Sequence, residues 1–311
     1  MDNKNIDIRD AFFDQMYCSV KSRDDFVFLS ADMDAFSLKK FSKDFPQRFF
    51  NIGVSEQNMI NVACGLALAG KKVFCYSIAS FATIRCLEQI KINLCSMDLP
   101  VTIIGAGAGF SFGYDGPTHH GHQDLSSMRL LPEMTILEIS SLNIARKSVE
   151  FVLTKQGPTY IRLDKGIFPE RSEEVIDFDK GYIIVSPIKK INIISNGYMF
   201  NNARLIVNKL ESRGFEIGLI DLYKVKPLSK TIHKLIEKSD VLISIEESCI
   251  SGGLATILCE EILFNDLKCR FLPIGAPNKQ FIEYGDRSWF HSKYELDNES
   301  IENTIVKFLN K

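Results

Sequence analysis

The chain has 311 residues, of which 45% are apolar and 24% are charged, and its formal net charge is -2. This length suits two domains that each bury a core, and the balanced charge, which forms no basic stripe, argues against a nucleic-acid-binding protein. No apolar run reaches the roughly 18 residues of a membrane helix and the polar start lacks a signal-peptide pattern, so we expect a soluble cytoplasmic protein.

The first predicted elements are a helix over residues 8–21 and a buried strand in DFVFLSADMD, which ends at Asp32 and Asp34. A strand that runs into small and acidic residues delivers them to the carboxyl edge of a sheet, where open α/β sheets bind ligands. The sequence therefore predicts that Asp32 lies at a ligand-binding edge.

A single acid, Glu56, stands between a strand that ends near Asn51 and a helical segment rich in Ala, Leu and Gly. The apolar residues of this segment recur at spacings of 1, 3 and 4, which predicts a helix buried on a broad face. One interpretation is that Glu56 caps the helix N-terminus, where acids are favoured. The other is a carboxyl group at the mouth of an apolar layer, where burial raises a pKa enough for a proton to be shared with a ring nitrogen.

The strand KKVFCYS leads into SFATIRCLEQIKINLC, whose apolar residues predict a mostly buried helix. Those apolar residues are Ile84, Leu87, Ile90, Ile92 and Leu94. Phe81 opens this helix. It is interpreted either as a core aromatic or as the flat apolar face against which an aromatic heterocycle is oriented.

The next strand, VTIIGAG, runs into a loop that holds three of the five histidines of the chain, His119, His120 and His122, between Asp115 and Asp124. Its Gly and Pro content rules out a regular helix. A metal site would lack a recognised ligand spacing here. The alternative is a polar substrate cleft in which imidazoles donate hydrogen bonds to hydroxyls and to a developing oxyanion.

Glycines 105, 107 and 109 open the same loop, but the third glycine of a dinucleotide-binding GxGxxG motif would fall on Phe110 or Phe112. The sequence therefore gives little support to a Rossmann site. A later strand, GPTYIRLDKG, carries Arg162, which is either a solvated or ion-paired group or a planar ligand for an anion.

The order of elements predicts two α/β domains, each with a mostly parallel or mixed sheet flanked by helices. The predicted boundaries are 1–167 for the first domain, 168–190 for a linker with short strands, and 191–311 for the second domain. In the second domain, Glu246 and Glu247 are interpreted as structural acids, with a metal pair as the alternative. The eight cysteines form no CxxC pair, which favours buried free thiols over zinc ligands or disulfides.

The segment FFNIGVSEQNMINVACGLALAGKKVF resembles the pyrimidine-binding segment of the transketolase family of thiamine diphosphate enzymes, which includes the deoxyxylulose-phosphate synthases. The resemblance implies that Glu56 hydrogen-bonds the aminopyrimidine ring of the cofactor and promotes its reactive tautomer. It also implies that Phe81 stacks on that ring. SAD at 30–32 matches the start of a ligand-lining loop of the family, which places Asp32 in the cofactor site.

The loop DGPTHHG resembles the DGPTHQ loop of the same family. This implies that His119 contacts donor oxygens near the reacting carbon and that Asp115 contacts a neighbouring hydroxyl. His120 stands in place of the usual Gln, and we expect it to bind the substrate as well. The counterpart of Arg162 binds a substrate phosphate.

Three family positions that contact the substrate have lost their polar side chains in this chain. Phe36 stands where a phosphate-contacting Ser is expected, and Gly107 and Ala108 stand where His and Arg occur in family members. These losses predict that substrate recognition has moved away from ordinary pentose phosphates.

The resemblance covers the last two of the three family domains, since ISIEESCISGG and DLYKVKPL resemble the family's C-terminal domain, which mainly assembles dimers. The missing domain holds the diphosphate through a divalent metal with a GDG motif, and Gly285-Asp286 is followed here by Arg287. The resemblance thus implies a split transketolase: this chain binds the pyrimidine, and a separate N-terminal-type subunit holds the diphosphate and Mg²⁺ in a heterotetramer. The donor would be a ketose, phosphorylated or otherwise modified, and the acceptor an aldose.

Two alternatives to this function stay open. One is a subunit of a decarboxylating enzyme of the deoxyxylulose-phosphate synthase or 2-oxo acid dehydrogenase type. The other is a non-catalytic assembly paralogue, which the altered phosphate positions favour and the retained Glu56, Phe81, Asp115 and His119 oppose.

Overall fold

A computed structural model describes residues 6–171 and 175–311, which form two compact units. The first unit contains residues 6–108 and 127–171, and the second contains residues 109–126 and 175–311. Residues 109–126, which hold most of the glycine- and histidine-rich loop, are grouped with the second unit. Residues 1–5 of the predicted first domain and 172–174 of the predicted linker lie outside the described residues, and the predicted boundaries stay predictions.

The strands of the first unit are β1 (Phe26–Ser30), β2 (Phe49–Asn51), β3 (Lys72–Ile78), β4 (Val101–Ala106), β5 (Thr135–Glu138) and β6 (Thr159–Leu163). Its helices are α1 (Ile8–Val20), α2 (Leu38–Asp44), α3 (Glu56–Leu68), α4 (Ala79–Ala82), α5 (Leu87–Gln89), α6 (Asp124–Arg129), which begins in the second unit, and α7 (Leu142–Thr154).

The six strands of the first unit lie side by side in the order β5-β6-β4-β3-β1-β2, and every pair among them is parallel. β1, β4, β5 and β6 are buried along their whole length, as expected for parallel strands covered on both faces. Because the strands are parallel, their carboxyl ends share one edge. Asp32, Glu56 and Phe81 follow β1, β2 and β3 there, in agreement with the predicted ligand-binding edge.

Gly105 in β4 marks a close approach of the chain to itself. A Cβ atom at this position would lie 2.7 Å from the hydroxyl oxygen of Tyr160 in β6 and 3.0 Å from the Cα atom of Ala79 in α4. The absence of a side chain lets the segment that follows β3 settle directly on the sheet. Gly105 is therefore required by packing rather than by backbone conformation.

The single buried helix predicted after β3 is wrong. The segment is a succession of short turns: α4, a 3-10 turn at Ile84–Cys86, α5 and a π-helical turn at Ile90–Cys95. Ile84 and Ile92, predicted as buried, are 43% and 49% exposed. The hydroxyl of Thr83 donates to the carbonyl oxygen of Ala79 at 2.6 Å, and such a side-chain bond to a carbonyl one turn earlier bends a helix.

The strands of the second unit are β7 (Ile183–Ser186), β8 (Ile191–Ser195), β9 (Ile217–Asp221), β10 (Lys224–Lys226), β11 (Val241–Cys249) and β12 (Arg270–Ala276). Its helices are α8 (Gly197–Ser212), α9 (Ile232–Ile236), α10 (Leu254–Phe264), α11 (Arg287–Lys293) and α12 (Asn298–Leu309).

The second unit has a five-stranded sheet in the order β12-β11-β8-β9-β7, in which only β7 runs antiparallel to its neighbour. This mixed sheet and the parallel sheet of the first unit confirm the predicted fold class. The sequence reasoning missed α2 and α11, which are both seven residues long.

Within the described ranges 6–171 and 175–311, no helix is long and apolar enough to cross a membrane. All eight cysteines are free, and five of them are buried: Cys64, Cys75, Cys86, Cys95 and Cys249. Cys18 is exposed, so the prediction of buried thiols holds for most of the cysteines but not for this one.

Candidate functional site

Glu56 is the first residue of α3, and only 2% of it is exposed to solvent. A tight turn leads into it from β2, since Gly53 has a positive φ of 74° and the N–H of Ser55 donates to the carbonyl of Gly53 at 2.8 Å. Only glycine adopts this backbone conformation readily, so the turn depends on its position. As a result, the carboxyl group is directed to the sheet edge beside Ser77 of β3.

Each carboxylate oxygen of Glu56 contacts one side chain among the described residues. The hydroxyl of Ser77 donates to Oε1 at 3.3 Å, and Nη1 of Arg85 donates to Oε2 at 2.8 Å. Neither partner is a backbone N–H of α3, so the structure favours the buried-acid interpretation over the helix cap. The contact with Ser77 is long, and most of the acceptor capacity of Oε1 is unused.

Phe81 lies on α4 and is half-buried. The guanidinium carbon of Arg85 stands 3.9 Å from the centroid of its ring, which is a close cation–π contact. The same guanidinium donates to Glu56, so Arg85 connects the acid and the aromatic ring. The side-chain amide of Gln57, next to Glu56 on α3, donates to the carbonyl oxygen of Arg85 at 3.0 Å and ties this segment to the helix.

These residues fit the aminopyrimidine ring of thiamine diphosphate. The buried carboxylate of Glu56 has unused acceptor capacity and can bind a ring N–H. Because a buried acceptor with too few hydrogen bonds is costly, such a ligand would stabilise this group. A half-buried phenyl ring offers an apolar plane for stacking. Glu56 would hold the ring nitrogen and Phe81 the ring face. When bound, the cofactor supplies the carbanion chemistry that no amino-acid side chain provides.

Asp32 is exposed and adopts a positive φ of 54°. Its backbone N–H donates to Oδ1 of Asn51 at 3.1 Å, and the Asn51 amide donates back to Oδ1 of Asp32 at 3.0 Å. These reciprocal bonds join the ends of β1 and β2. Asp32 and Asn51 are among the residues that line a cavity of about 330 Å³. Phe36, in place of the expected serine, is 73% exposed.

The predicted histidine site divides into an accessible pair and a buried pair. Asp115 is exposed, and His119 is half-buried with its Nδ1 atom 2.9 Å from the hydroxyl oxygen of Thr118. In contrast, His120 and His122 are 4% and 1% exposed. The accessible pair is therefore the part of the loop that could meet a substrate.

The buried imidazoles pack against aromatic rings of the second unit. The ring centroids of His122 and Phe110 are 4.1 Å apart, and Phe110 stacks on Phe290 with a centroid distance of 4.3 Å. The ring centroid of His120 lies 5.2 Å from that of Phe290. Burial lowers the pKa of His120 below its ordinary value, which favours the neutral form of this ring. The position of His120 favours a packing role over direct contact with a substrate.

Glu246 and Glu247 each have a structural role. Glu246 accepts hydrogen bonds from the first two backbone N–H groups of α10, at 2.8 and 2.7 Å. Glu247 lies 3.0 Å from Nε of Arg287 and 2.5 Å from Nε2 of His291. Burial alone would raise the pKa of Glu247, but the charge of Arg287 and the hydrogen bond with His291 outweigh burial and lower it to about 2.

No group of three or more His, Cys, Asp or Glu side chains in the described part of the chain could hold a metal ion. In the loop, Nδ1 of His122 is 2.9 Å from the backbone carbonyl oxygen of Glu247. This contact ties the imidazole of His122 to β11.

The structure does not support the prediction that Arg162 binds a substrate phosphate. Arg162 is 1% exposed, and its Nη1 atom lies 2.5 Å from Oε1 of Glu138, which is also buried. A strand-end position was correctly predicted, but β6 is buried along its whole length, so this side chain lies inside the protein. An exposed cation, Lys165, follows the end of β6.

Two residues of the site were missed by the sequence reasoning. Ser77 is the second-last residue of β3 and faces Glu56, and Arg85 follows Phe81 by four positions. Residues four apart share a face of a helix, so this spacing could have indicated the contact between Arg85 and Phe81.

Comparison with known proteins gives matches along nearly the whole chain. The transketolase pyrimidine binding domain matches residues 4–170, and the transketolase C-terminal domain matches residues 181–301. One subunit of the apulose-4-phosphate transketolase of Phocaeicola vulgatus is 29% identical, with 100% of each chain covered.

Two further matches differ in how much of the other protein they cover. 1-Deoxy-D-xylulose-5-phosphate synthase of Clostridium botulinum is 31% identical over 96% of this chain, which spans only 49% of that protein. A solved structure described as a split gene transketolase, inactive beta4 tetramer, superposes with a TM-score of 0.86 at 26% identity and covers 97% of both chains.

Proposed function

Since the chain belongs to the transketolase family, we propose that it is the pyrimidine-binding subunit of a split, thiamine diphosphate-dependent transketolase. The reaction would move a two-carbon ketol unit from a ketose to an aldose. The observation that carries this proposal is the buried carboxyl group of Glu56 at the carboxyl edge of a parallel sheet, beside the half-buried ring of Phe81. Such an edge is where open α/β sheets bind ligands.

In this proposal, Glu56 holds and moves a proton between its Oε1 atom and a ring nitrogen of the cofactor. A positioned acid in a water-poor site can share a proton in this way. The hydroxyl of Ser77 keeps Oε1 oriented, and Phe81 fixes the plane of the ring. Asp32, at the same sheet edge, completes the residues proposed for the cofactor site.

His119 and Asp115 are proposed to bind hydroxyl and carbonyl oxygens of the ketose donor. This role is supported by the family resemblance of their loop and by their accessibility, which His120 and His122 lack. A neutral or charged imidazole can donate a hydrogen bond to an oxygen that gains negative charge. Apulose-4-phosphate in the name of one relative supports a phosphorylated ketose as the substrate class.

A separate subunit is proposed to hold the diphosphate and its Mg²⁺, because this ion normally offsets phosphate charge through carboxylate ligands. Two findings support a split enzyme: a relative that matches from end to end is named as one subunit of a transketolase, and the matching structure is described as a split gene transketolase. Two copies of each subunit would give the proposed heterotetramer. The eight free cysteines support a cytoplasmic location.

A decarboxylating activity is the second candidate. It is favoured by the 31% identity with a 1-deoxy-D-xylulose-5-phosphate synthase, of which this chain spans about half. The pyrimidine site would serve both reactions equally, since activation of the cofactor precedes the choice of donor. The two candidates therefore differ in donor recognition and not in the role of Glu56.

The test is an assay of this chain after reconstitution with its diphosphate-binding partner. We expect ketol transfer from phosphorylated ketoses to aldose acceptors, and no turnover by either chain alone. Turnover of pyruvate with an aldose phosphate in place of ketoses would favour the second candidate. A reconstituted complex that binds thiamine diphosphate with neither activity would require a different donor, and one that does not bind it would point to an assembly protein.

A further inference from the structure

We propose that Arg85 is a positioning residue that holds both Glu56 and Phe81 in the geometry needed by the cofactor ring. This inference rests on the proposed function. Its basis is one guanidinium group that makes two contacts, a 2.8 Å ion pair with Oε2 of Glu56 and a 3.9 Å stack on Phe81. A single side chain thereby couples the acid to the aromatic ring.

The first contact divides the two oxygens of Glu56 between two tasks. Oε2 is occupied by Arg85, whereas Oε1 receives the long hydrogen bond from Ser77. A carboxylate that rotates freely presents either oxygen to a ligand, and a charge-assisted hydrogen bond to one oxygen stops that rotation. Arg85 therefore leaves Oε1 as the atom that meets the ring nitrogen.

The second contact gives the two faces of the Phe81 ring different roles. Planar guanidinium groups stack on aromatic rings, and Arg85 covers one face in this way. The opposite face is assigned to the pyrimidine. With Arg85 on one side and the cofactor on the other, the phenyl ring is held between two planar cationic or electron-poor groups, an arrangement that the electron-rich faces of a phenyl ring favour.

The backbone of Arg85 is fixed independently of its side chain. Its carbonyl oxygen accepts the Gln57 amide at 3.0 Å, and the N–H of Cys86 donates to the carbonyl of Thr83 at 3.0 Å in the 3-10 turn. The helix break after β3 is thus what brings this arginine against α3. The Arg85 side chain is 41% exposed, compared with 2% for Glu56, so its replacement does not open the core.

The test compares Arg85→Ala, Arg85→Lys and the matched control Lys91→Ala in the reconstituted two-chain complex. Lys91 is an exposed cation that lies further along the same segment, in the π-helical turn. Three quantities are measured: the Kd for thiamine diphosphate by calorimetry, the exchange rate of the thiazolium C2 proton for deuterium by NMR, and the thermal midpoint.

We expect Arg85→Ala to weaken cofactor binding roughly tenfold and to slow proton exchange by at least a similar factor, because one stacking contact and one charged hydrogen bond are lost. Arg85→Lys keeps the charge but not the flat fork, so it should recover part of the exchange rate and little of the affinity. Lys91→Ala should match the wild type in all three measurements. A fall in thermal midpoint alone would mean a purely structural role and would overturn the proposal.

Unchanged or tighter binding by Arg85→Ala would also overturn the proposal, and tighter binding would mean that the arginine competes with the ring for one place. The parallel variants Glu56→Ala and Phe81→Ala separate this failure from that of the proposed function. If they abolish exchange and weaken binding while Arg85→Ala does not, only the positioning role fails. If they too behave as the wild type, the cofactor site itself is wrongly assigned.

Discussion

Nη1 of Arg85 lies 2.8 Å from Oε2 of Glu56, although 41% of the arginine side chain and only 2% of the glutamate side chain are exposed. The acid is therefore buried, and the guanidinium group that pairs with it belongs to a side chain that is partly exposed to solvent. This arrangement keeps one oxygen available for a ligand that enters from the sheet edge.

The exchange Glu56→Gln should abolish most of the activity of the two-chain complex. The amide has the same shape but cannot take up and return a proton, and positioned acid–base groups contribute about 10²- to 10⁴-fold to a rate. The measurement is the initial rate of ketol transfer at saturating cofactor. Glu88→Gln, at an exposed acid of the neighbouring segment, is the matched control and should leave the rate unchanged. Equal rates for both variants would remove Glu56 from the mechanism.

The buried pair of Arg162 and Glu138 should act on stability. Removal of the carboxylate in Glu138→Gln leaves a buried cation poorly compensated, and breaking a buried pair costs about 3–5 kcal/mol. A double variant, Arg162→Met with Glu138→Leu, should unfold at a higher urea concentration than the single variant because both charges of the pair are removed together. A variant at Arg162 that keeps full stability and loses selectivity for phosphorylated sugars would restore the phosphate-binding prediction.

Glu247 should make the second unit sensitive to acid. Its pKa is lowered from 4.5 to about 2 in the folded protein, so its contribution to stability is complete above pH 4.5 and is lost as the pH falls toward 2. A pKa shift of this size corresponds to roughly 3 kcal/mol in the free energy of unfolding. Trp289, the only tryptophan of the chain, lies on the same helix as Arg287 and reports unfolding by its fluorescence.

The comparison is urea unfolding of the wild type and Glu247→Gln at pH 7 and near pH 3. We expect the variant to be less stable at pH 7, where Arg287 loses its charged partner, and the two proteins to converge in acid. Parallel loss of stability in both proteins between these pH values would assign the acid sensitivity to other groups.

Gly105→Ala should destabilise the first unit. The new methyl group would meet the Tyr160 side chain at 2.7 Å and the backbone of Ala79 at 3.0 Å, and overpacking of this kind costs about 1–3 kcal/mol. Gly65→Ala is the matched control, because this helical glycine has open space around it and alanine is favoured in helices by about 0.5–1 kcal/mol. Opposite shifts of the urea midpoint are expected for the two variants, and shifts of the same sign would contradict the packing argument.

The sequence predicted the strands of both sheets well, because buried parallel strands read as continuous apolar runs such as VTIIGA in β4. It predicted the segment after β3 poorly. The apolar spacing of Ile84 and Ile92 is helical, but a spacing pattern does not include the hydroxyl of Thr83, which competes with the backbone for the Ala79 carbonyl.

For the candidate site, the sequence could identify residues that follow strand ends but not the direction of their side chains. Asp32 lies at the carboxyl edge as predicted, and Glu56 and Phe81 follow strand ends at the same edge, while Arg162 near the end of β6 is buried and pairs with Glu138. The chain does not reveal a pairing between strands that are far apart in sequence until the sheet order is known. The same limit explains why the pairing of Arg85 with Glu56, which are 29 positions apart, was not predicted.

In the proposed enzyme, Glu56 binds a cofactor ring whose diphosphate is held by another subunit. The most direct measurement is calorimetric titration of thiamine diphosphate, with Mg²⁺ present, into this chain alone, into the two-chain complex, and into the complex with Glu56→Ala. We predict saturable binding only by the complex with Glu56 intact and much weaker binding by the variant. Equal binding by the variant complex would show that Glu56 does not bind the ring, and full binding by this chain alone would show that no second subunit is needed.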